Sequence, residues 1–252
     1  YDNIPEHQAA VHFMDEAIPD PDAKRDLMRS YLSAQGYFEC VTYSFMGVQD
    51  LDKLGVPAED ALRQAVRIIN PLGDDRAYMR TTLLPAMLEI VAANLNHKEE
   101  ALRLYELSRV FLPEQLPLDG KLPEEHASAI LAMTEDAGDF YALKGDVENI
   151  LRVAYGQTPR FASGGADYWH PGRKAVIYLD GRPVGEMGEL HPTVAGRFGL
   201  SKRVTLACID LAKVSGAKET HRYAPIPRFP AIERDIALVV GETVEVGALM
   251  DC

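Results

Sequence analysis

Two histidines and a carboxylate come first among the residues that can do chemistry. Asp180-Gly181 marks a hairpin, because Asp-Gly supplies the positive φ angles of a type I′ turn. Ideal register from that turn sets His170 opposite His191, with Glu189 two residues away on the same face. Two imidazoles and a carboxylate are a zinc-ligand set. Each histidine also precedes a proline, Pro171 or Pro192, and His-Pro pairs end hairpins and hydrogen-bond locally. That plainer reading is preferred, and no metal is expected. Lys144, Asp146 and Glu148 share a helical stretch. A catalytic lysine among carboxylates is conceivable, but Lys144 and Glu148 have the spacing of a helix ion pair, and Asp146 points away from both. The nucleotide loops G-x-x-x-x-G-K-[ST] and G-x-G-x-x-G, the elbow G-x-S-x-G and the zinc motif H-E-x-x-H are absent. No catalytic or cofactor-binding residue is therefore assigned.

The residues with the clearest purpose are apolar. Asp20-Pro21 opens a helix, Leu27, Met28, Tyr31 and Leu32 recur at helical spacing, and Gly36 stops it. Tyr37 to Phe45 then reads as a strand rich in aromatic and β-branched residues. Met28, Tyr31, Phe38, Tyr43 and Phe45 give this pair more apolar area than packing on its own sheet requires. They are the candidate partner interface; the alternative is that all five are core.

These residues need a framework. Val66 to Ile69 is a short strand closed by Asn70-Pro71-Leu72-Gly73, and a helix opening near Pro85 buries Leu84, Leu88, Val91, Ala92 and Leu95. Leu102 to Leu112 is a strand polar and apolar on both faces, which predicts a central place in a large sheet lining a cavity. His126 to Met133 is a strand, Phe140, Leu143, Val147, Ile150 and Leu151 mark a helix, and Val204 to Leu211 is a last strand. Ser215 to Pro227 is a linker, Asp235 to Val240 a new strand, and Thr243 the cap of a new helix. The order lacks a strict βαβ beat, so the expected class is α+β, an antiparallel sheet flanked by helices.

The chain has 252 residues, 47% hydrophobic and 25% charged, as in an ordinary globular protein. No run approaches a membrane-spanning length. Three cysteines, Cys40, Cys208 and Cys252, without CxxC spacing point to a reducing, cytoplasmic setting. The net charge of −12 argues against a nucleic-acid grip by this chain alone. His221, Arg222, Arg228 and Arg234 make the linker locally basic, which suits a phosphate backbone or ordinary scattered charge. The start at Tyr1 and the end at Cys252 suggest a piece of a longer protein.

Several stretches carry a resemblance. They are Tyr1-Asp2-Asn3-Ile4-Pro5, Asn70-Pro71-Leu72-Gly73 through Met79-Arg80-Thr81-Thr82-Leu83-Leu84-Pro85-Ala86-Met87-Leu88, Asn94-Leu95-Asn96, and Leu104-Tyr105-Glu106-Leu107-Ser108-Arg109-Val110-Phe111. Lys144-Gly145-Asp146-Val147-Glu148, His170-Pro171-Gly172-Arg173, Gly188-Glu189-Leu190-His191-Pro192 and Arg228-Phe229-Pro230-Ala231-Ile232-Glu233-Arg234-Asp235 continue it. In order and spacing, the chain resembles the beta-subunit family of bacterial-type phenylalanine–tRNA ligases.

The resemblance implies a class II synthetase-like core over 18–215, after the tail of a helical domain at 1–17. A linker at 216–227 would lead to the truncated start of a ferredoxin-like anticodon-binding domain at 228–252. It implies an α₂β₂ heterotetramer in which the alpha subunit activates phenylalanine with ATP and magnesium. The beta subunit would supply structure and tRNA contacts, with editing and the magnesium-linked carboxylates upstream of Tyr1. It also implies that the helix and strand over Asp20 to Phe45 match the segment class II cores use to dimerise. Active class II cores carry F-R-x-E, whose Arg holds the α-phosphate; the matching place here is Phe111-Leu112-Pro113-Glu114. Their glycine-rich G-x-G-x-x-R segment has no counterpart near Val204 to Gly216. The expectation is a non-catalytic scaffold that binds no cofactor itself. A class II-like paralogue with its own ATP-dependent chemistry, or a tRNA-binding module, is the alternative; Leu112 and the negative charge argue against them.

Overall fold

The computed structural model describes residues 20–118, 120–214, 232, 234–242, 244 and 246–250. The chain divides into two units, Tyr1–Lys218 and Glu219–Cys252.

The first described element of the first unit is α1 (Asp20–Ala34), which Gly36 ends with a left-handed φ of 82°. A chain stop of this kind favours glycine because no Cβ is there to clash. The expected single strand over Tyr37 to Phe45 is two short pieces, β1 (Phe38–Glu39) and β2 (Phe45–Met46), in different sheets. Next come α2 (Val48–Leu54), β3 (Tyr78–Met79) and α3 (Leu84–Asn96). β2 pairs with β3, and Arg67 makes only an isolated bridge to Tyr78 where the strand Val66 to Ile69 was expected. The long elements are β4 (Arg103–Leu112), β5 (Glu124–Thr134), α4 (Phe140–Tyr155), β7 (Trp169–Leu179), β8 (Arg182–Leu190) and β9 (Val204–Asp210). Two shorter elements, β6 (Arg160–Ser163) and α5 (Pro192–Arg197), lack a periodic apolar signal long enough to read from sequence.

The main sheet runs β1-β4-β5-β9-β8-β7-β6. Every neighbouring pair is antiparallel except β1 with β4, so the sheet is mixed. A parallel pair needs a crossover, and residues 40–102, with α2 and α3, supply it. β4 lies second from one edge, not at the centre. Its two-faced apolar pattern has another cause: helices cover both faces. Leu104 and Val110 pack with α2, α3 and α5 through Leu51, Leu54, Leu88, Val91 and Val194. Tyr105 and Leu107 pack with α1 and α4 through Met28, Leu32, Leu143 and Val147.

In the second unit residues 234–240 form no strand, and α6 (Val246–Met250) follows. A strand exists only by pairing, and among the described residues this segment has no partner. Thr243, the expected cap, lies outside the described residues, as do residues 1–19 and His221, Arg222 and Arg228. Among the described residues no helix is long and apolar enough to cross a membrane.

Candidate functional site

Three places can be compared: the zinc-like histidines, a cleft on the sheet, and the apolar segment after α1. The histidines do not meet across the hairpin. Asp180 and Gly181 take positive φ of 48° and 74°, and Leu179 pairs with Arg182 as the turn requires. The register then slips between Ile177 and Tyr178, and again between Trp169 and Lys174 around Pro171, which has no N–H to offer the ladder. His170 sits in the second irregularity, where its Nδ1 accepts from the Gly172 N–H at 3.2 Å. His191 is the N-cap of α5, and its Nδ1 accepts from the Thr193 N–H at 3.2 Å. The Glu189 carboxylate instead receives Arg173. In α4, Lys144 pairs with Glu148, while Asp146 is buried and accepts from the Tyr37 hydroxyl at 2.7 Å.

The cleft of about 340 Å³ lies on the sheet face shared with α3. Leu83, Val110, Leu112 and Ile130 make its apolar wall. Its charged lining is Glu186, Asp210 and Lys213. Glu186 accepts from the indole N–H of Trp169 and the N–H of Ala166, each at 3.0 Å. Asp210 faces His126 at 3.4 Å and Lys213 at 3.3 Å. Two carboxylates against one lysine disfavour a triphosphate, which needs clustered cations. Leu112 stands among these residues and offers no donor. Burial pushes the Cys208 thiol beside the cleft up to about 12, with Glu186 adding to the rise, so it holds its proton and is no nucleophile near neutral pH.

The apolar segment divides sharply. Met28 is fully buried and belongs to the core between α1 and α4. Tyr31 and Phe45 are half-buried. Phe38 and Tyr43 are exposed, at 74% and 68%, and Val41 beside them reaches 91%. With α3, this stretch walls a groove of about 570 Å³: Val41, Tyr43 and Phe45 on one side, Ala86, Glu89, Ile90 and Ala93 on the other. The helix residues recur at i, i+3, i+4 and i+7, a second stripe beside the buried one. Sequence reading missed it because two of its four members are small alanines. The Arg76–Glu89 pair at 2.9 Å stands in the groove wall.

One buried polar group organises this segment. Arg80 is 2% exposed, yet all three of its guanidinium nitrogens donate. Nε reaches the Arg109 carbonyl at 2.9 Å, Nη1 the Glu106 carboxylate at 3.0 Å and the Thr42 hydroxyl at 2.7 Å, and Nη2 the Ser108 hydroxyl. This accounts for Glu106 and Ser108 interrupting an apolar face of β4. Their spacing alone could not reveal an arginine 26 positions away.

The family described as the phenylalanyl tRNA synthetase beta chain CLM domain matches residues 4–211. A phenylalanine–tRNA ligase beta subunit of Symbiobacterium thermophilum is 37% identical, over 84% of this chain and 25% of its own. That of Halalkalibacterium halodurans is 36% identical, over 99% of this chain and 32% of its own. The chain thus spans about a quarter to a third of such relatives. In structure it is similar to the pyrrolysyl-tRNA synthetase of Desulfitobacterium hafniense, with a TM-score of 0.60 and 11% identity, covering 77% of this chain and 67% of that one. At that identity the likeness shows the fold: a class II synthetase fold of the α+β class.

Proposed function

This chain belongs to the phenylalanyl-tRNA synthetase beta chain family, and we propose that it is a non-catalytic, synthetase-like core that docks the ligase's alpha subunit. In this reading the whole enzyme, a cytoplasmic α₂β₂ assembly, attaches phenylalanine to its tRNA with ATP and magnesium. The alpha subunit does that chemistry, and tRNA is met by the complete beta subunit. The observation that carries the proposal is the cleft. Where an adenylating core presents a cationic clamp, this one presents Leu112 and a carboxylate excess. Adenylyl transfer depends on such clamps, and losing a single charge-stabilising donor typically costs about 3 kcal/mol of barrier. These residues do not fit ATP, so no step is assigned to them. The exposed Phe38, Val41 and Tyr43 and the groove beside them support docking, since aromatic anchors in apolar clefts dominate such interfaces.

Phenylalanine-driven pyrophosphate exchange tests the first half. The chain free of alpha subunit should give no exchange above a blank; clear exchange would overturn the scaffold reading. Binding tests the second. Tyr43→Asp should weaken association with the alpha subunit by about 2 kcal/mol, as for a central anchor, with little change in Tm. Unchanged binding would sink the assigned surface.

A further inference from the structure

We infer that Arg80 is a positioning residue for partner docking: buried, it touches no partner, but it holds the Val41–Tyr43 wall of the groove in shape. The inference rests on the docking role proposed above.

The wall has little else to hold it. Cys40 still pairs with β4, its N–H donating to the Tyr105 carbonyl at 2.7 Å, and Phe45 begins the pairing with β3. Between them, outside the strand ladders, every described hydrogen bond of residues 42–44 runs to Arg80 or Glu106. Thr42 donates its hydroxyl to Glu106 at 2.8 Å and receives Arg80 at 2.7 Å. The Tyr43 carbonyl receives Arg80 Nη1 at 3.2 Å. The Arg80 backbone adds its N–H to the Ser44 carbonyl at 3.0 Å, and its carbonyl takes the Phe111 N–H at 2.9 Å. Arg80 therefore clips the connector to β4 through both its side chain and its backbone. With the Thr42 hydroxyl turned onto this clip, Thr42 lines the groove through its other atoms, and Val41 and Tyr43 on either side are turned out.

Stability alone is a poor reason for such a clip. A buried ion pair rarely outperforms apolar residues of the same volume, because two charges must be desolvated. What a fully used guanidinium fork supplies is direction, since its donors lie in one plane at fixed angles. An exposed connector bearing two large apolar side chains is otherwise free to collapse onto α3 and fill the groove. Holding it open lowers the ordering cost of docking.

The test uses the full beta subunit that contains this chain, titrated with alpha subunit. Thr42→Val keeps the shape and removes the hydroxyl that bridges Arg80 and Glu106. It should raise Kd about tenfold at a temperature where the subunit stays folded, and amide exchange should rise in residues 41–44 alone. Tyr43→Ala, which removes a contact, should also raise Kd. In that background Thr42→Val should add less than about twofold, because the wall it positions has lost its anchor. Should Thr42→Val lower Tm, Ser108→Ala, which removes an Arg80 acceptor on β4, makes the same comparison. If Tyr43→Ala weakens binding and neither Thr42→Val nor Ser108→Ala does, the positioning role is wrong and docking stands. If Thr42→Val weakens binding equally with and without Tyr43, it acts elsewhere and the inference also fails. If none of the three changes Kd, the docking reading itself falls and the inference with it.

Discussion

Replacing Tyr37 by Phe removes one oxygen atom and should cost the protein about 2–3 kcal/mol. Tyr37 is 4% exposed, and its hydroxyl donates at 2.7 Å to Asp146, itself 8% exposed in the middle of α4. Burial pushes the phenol pKa well above its ordinary value and Asp146 adds to the rise, so the hydroxyl stays a donor at any ordinary pH. Without it, the Asp146 carboxylate oxygen loses its described donor where water scarcely reaches. The penalty is that of an unsatisfied buried charge, larger than the roughly 1 kcal/mol net worth of a typical hydrogen bond. For a domain of this size 1 kcal/mol moves Tm by about 2–4 °C, so the drop should be about 5–10 °C. Trp169, the one tryptophan of the chain and 1% exposed, reports the transition by its fluorescence. The double variant Tyr37→Phe/Asp146→Leu removes both polar partners and should recover most of the loss, because two matched apolar groups leave nothing unpaired. A Tyr37→Phe cost below about 0.5 kcal/mol, or no recovery in the double variant, would refute the reasoning.

The His126 imidazole, held by the Glu124 carboxylate at 2.9 Å and by Asp210 at 3.4 Å, which also binds Lys213, has its pKa raised, Glu124 being the chief cause. A raised folded pKa gives stability that is full below the ordinary value of about 6.5 and fades as pH climbs through the raised one. His126→Gln should therefore lower Tm more at about pH 5.5 than at about pH 8.5; equal losses at both would contradict the ion-pair reading. A Cβ at Gly185 would fall 2.2 Å from the Cys208 carbonyl of β9, so Gly185→Ala should cost at least about 2 kcal/mol in a urea titration. A Cβ at Gly145, inside α4, would meet nothing within 4 Å beyond the helix's own backbone, and Gly145→Ala should raise stability by about 1 kcal/mol; a loss there would contradict the open space beside α4.

Much of this protein is written locally. α4, β4, β5 and β9 announce themselves because each is long enough for its apolar period to outweigh noise, and the Asp180-Gly181 turn follows from two residues that tolerate positive φ. The motifs from Asn70 to Phe111 point to the family for the same reason: they are contiguous strings. Tertiary structure decided what depends on distant partners. Hairpin register beyond the turn was set by Pro171 and by pairing with β9, which parted His170 from His191. Met28 and Phe38 look alike as apolar residues, but α4 covers the first and nothing described covers the second. The segment Tyr37 to Phe45 reads as one strand and is broken in two, because Arg80, 38 positions beyond Thr42, captures its middle. Spacing along a chain encodes which residues can share a face; which faces meet is an energy of the whole packed molecule, and no local window contains it.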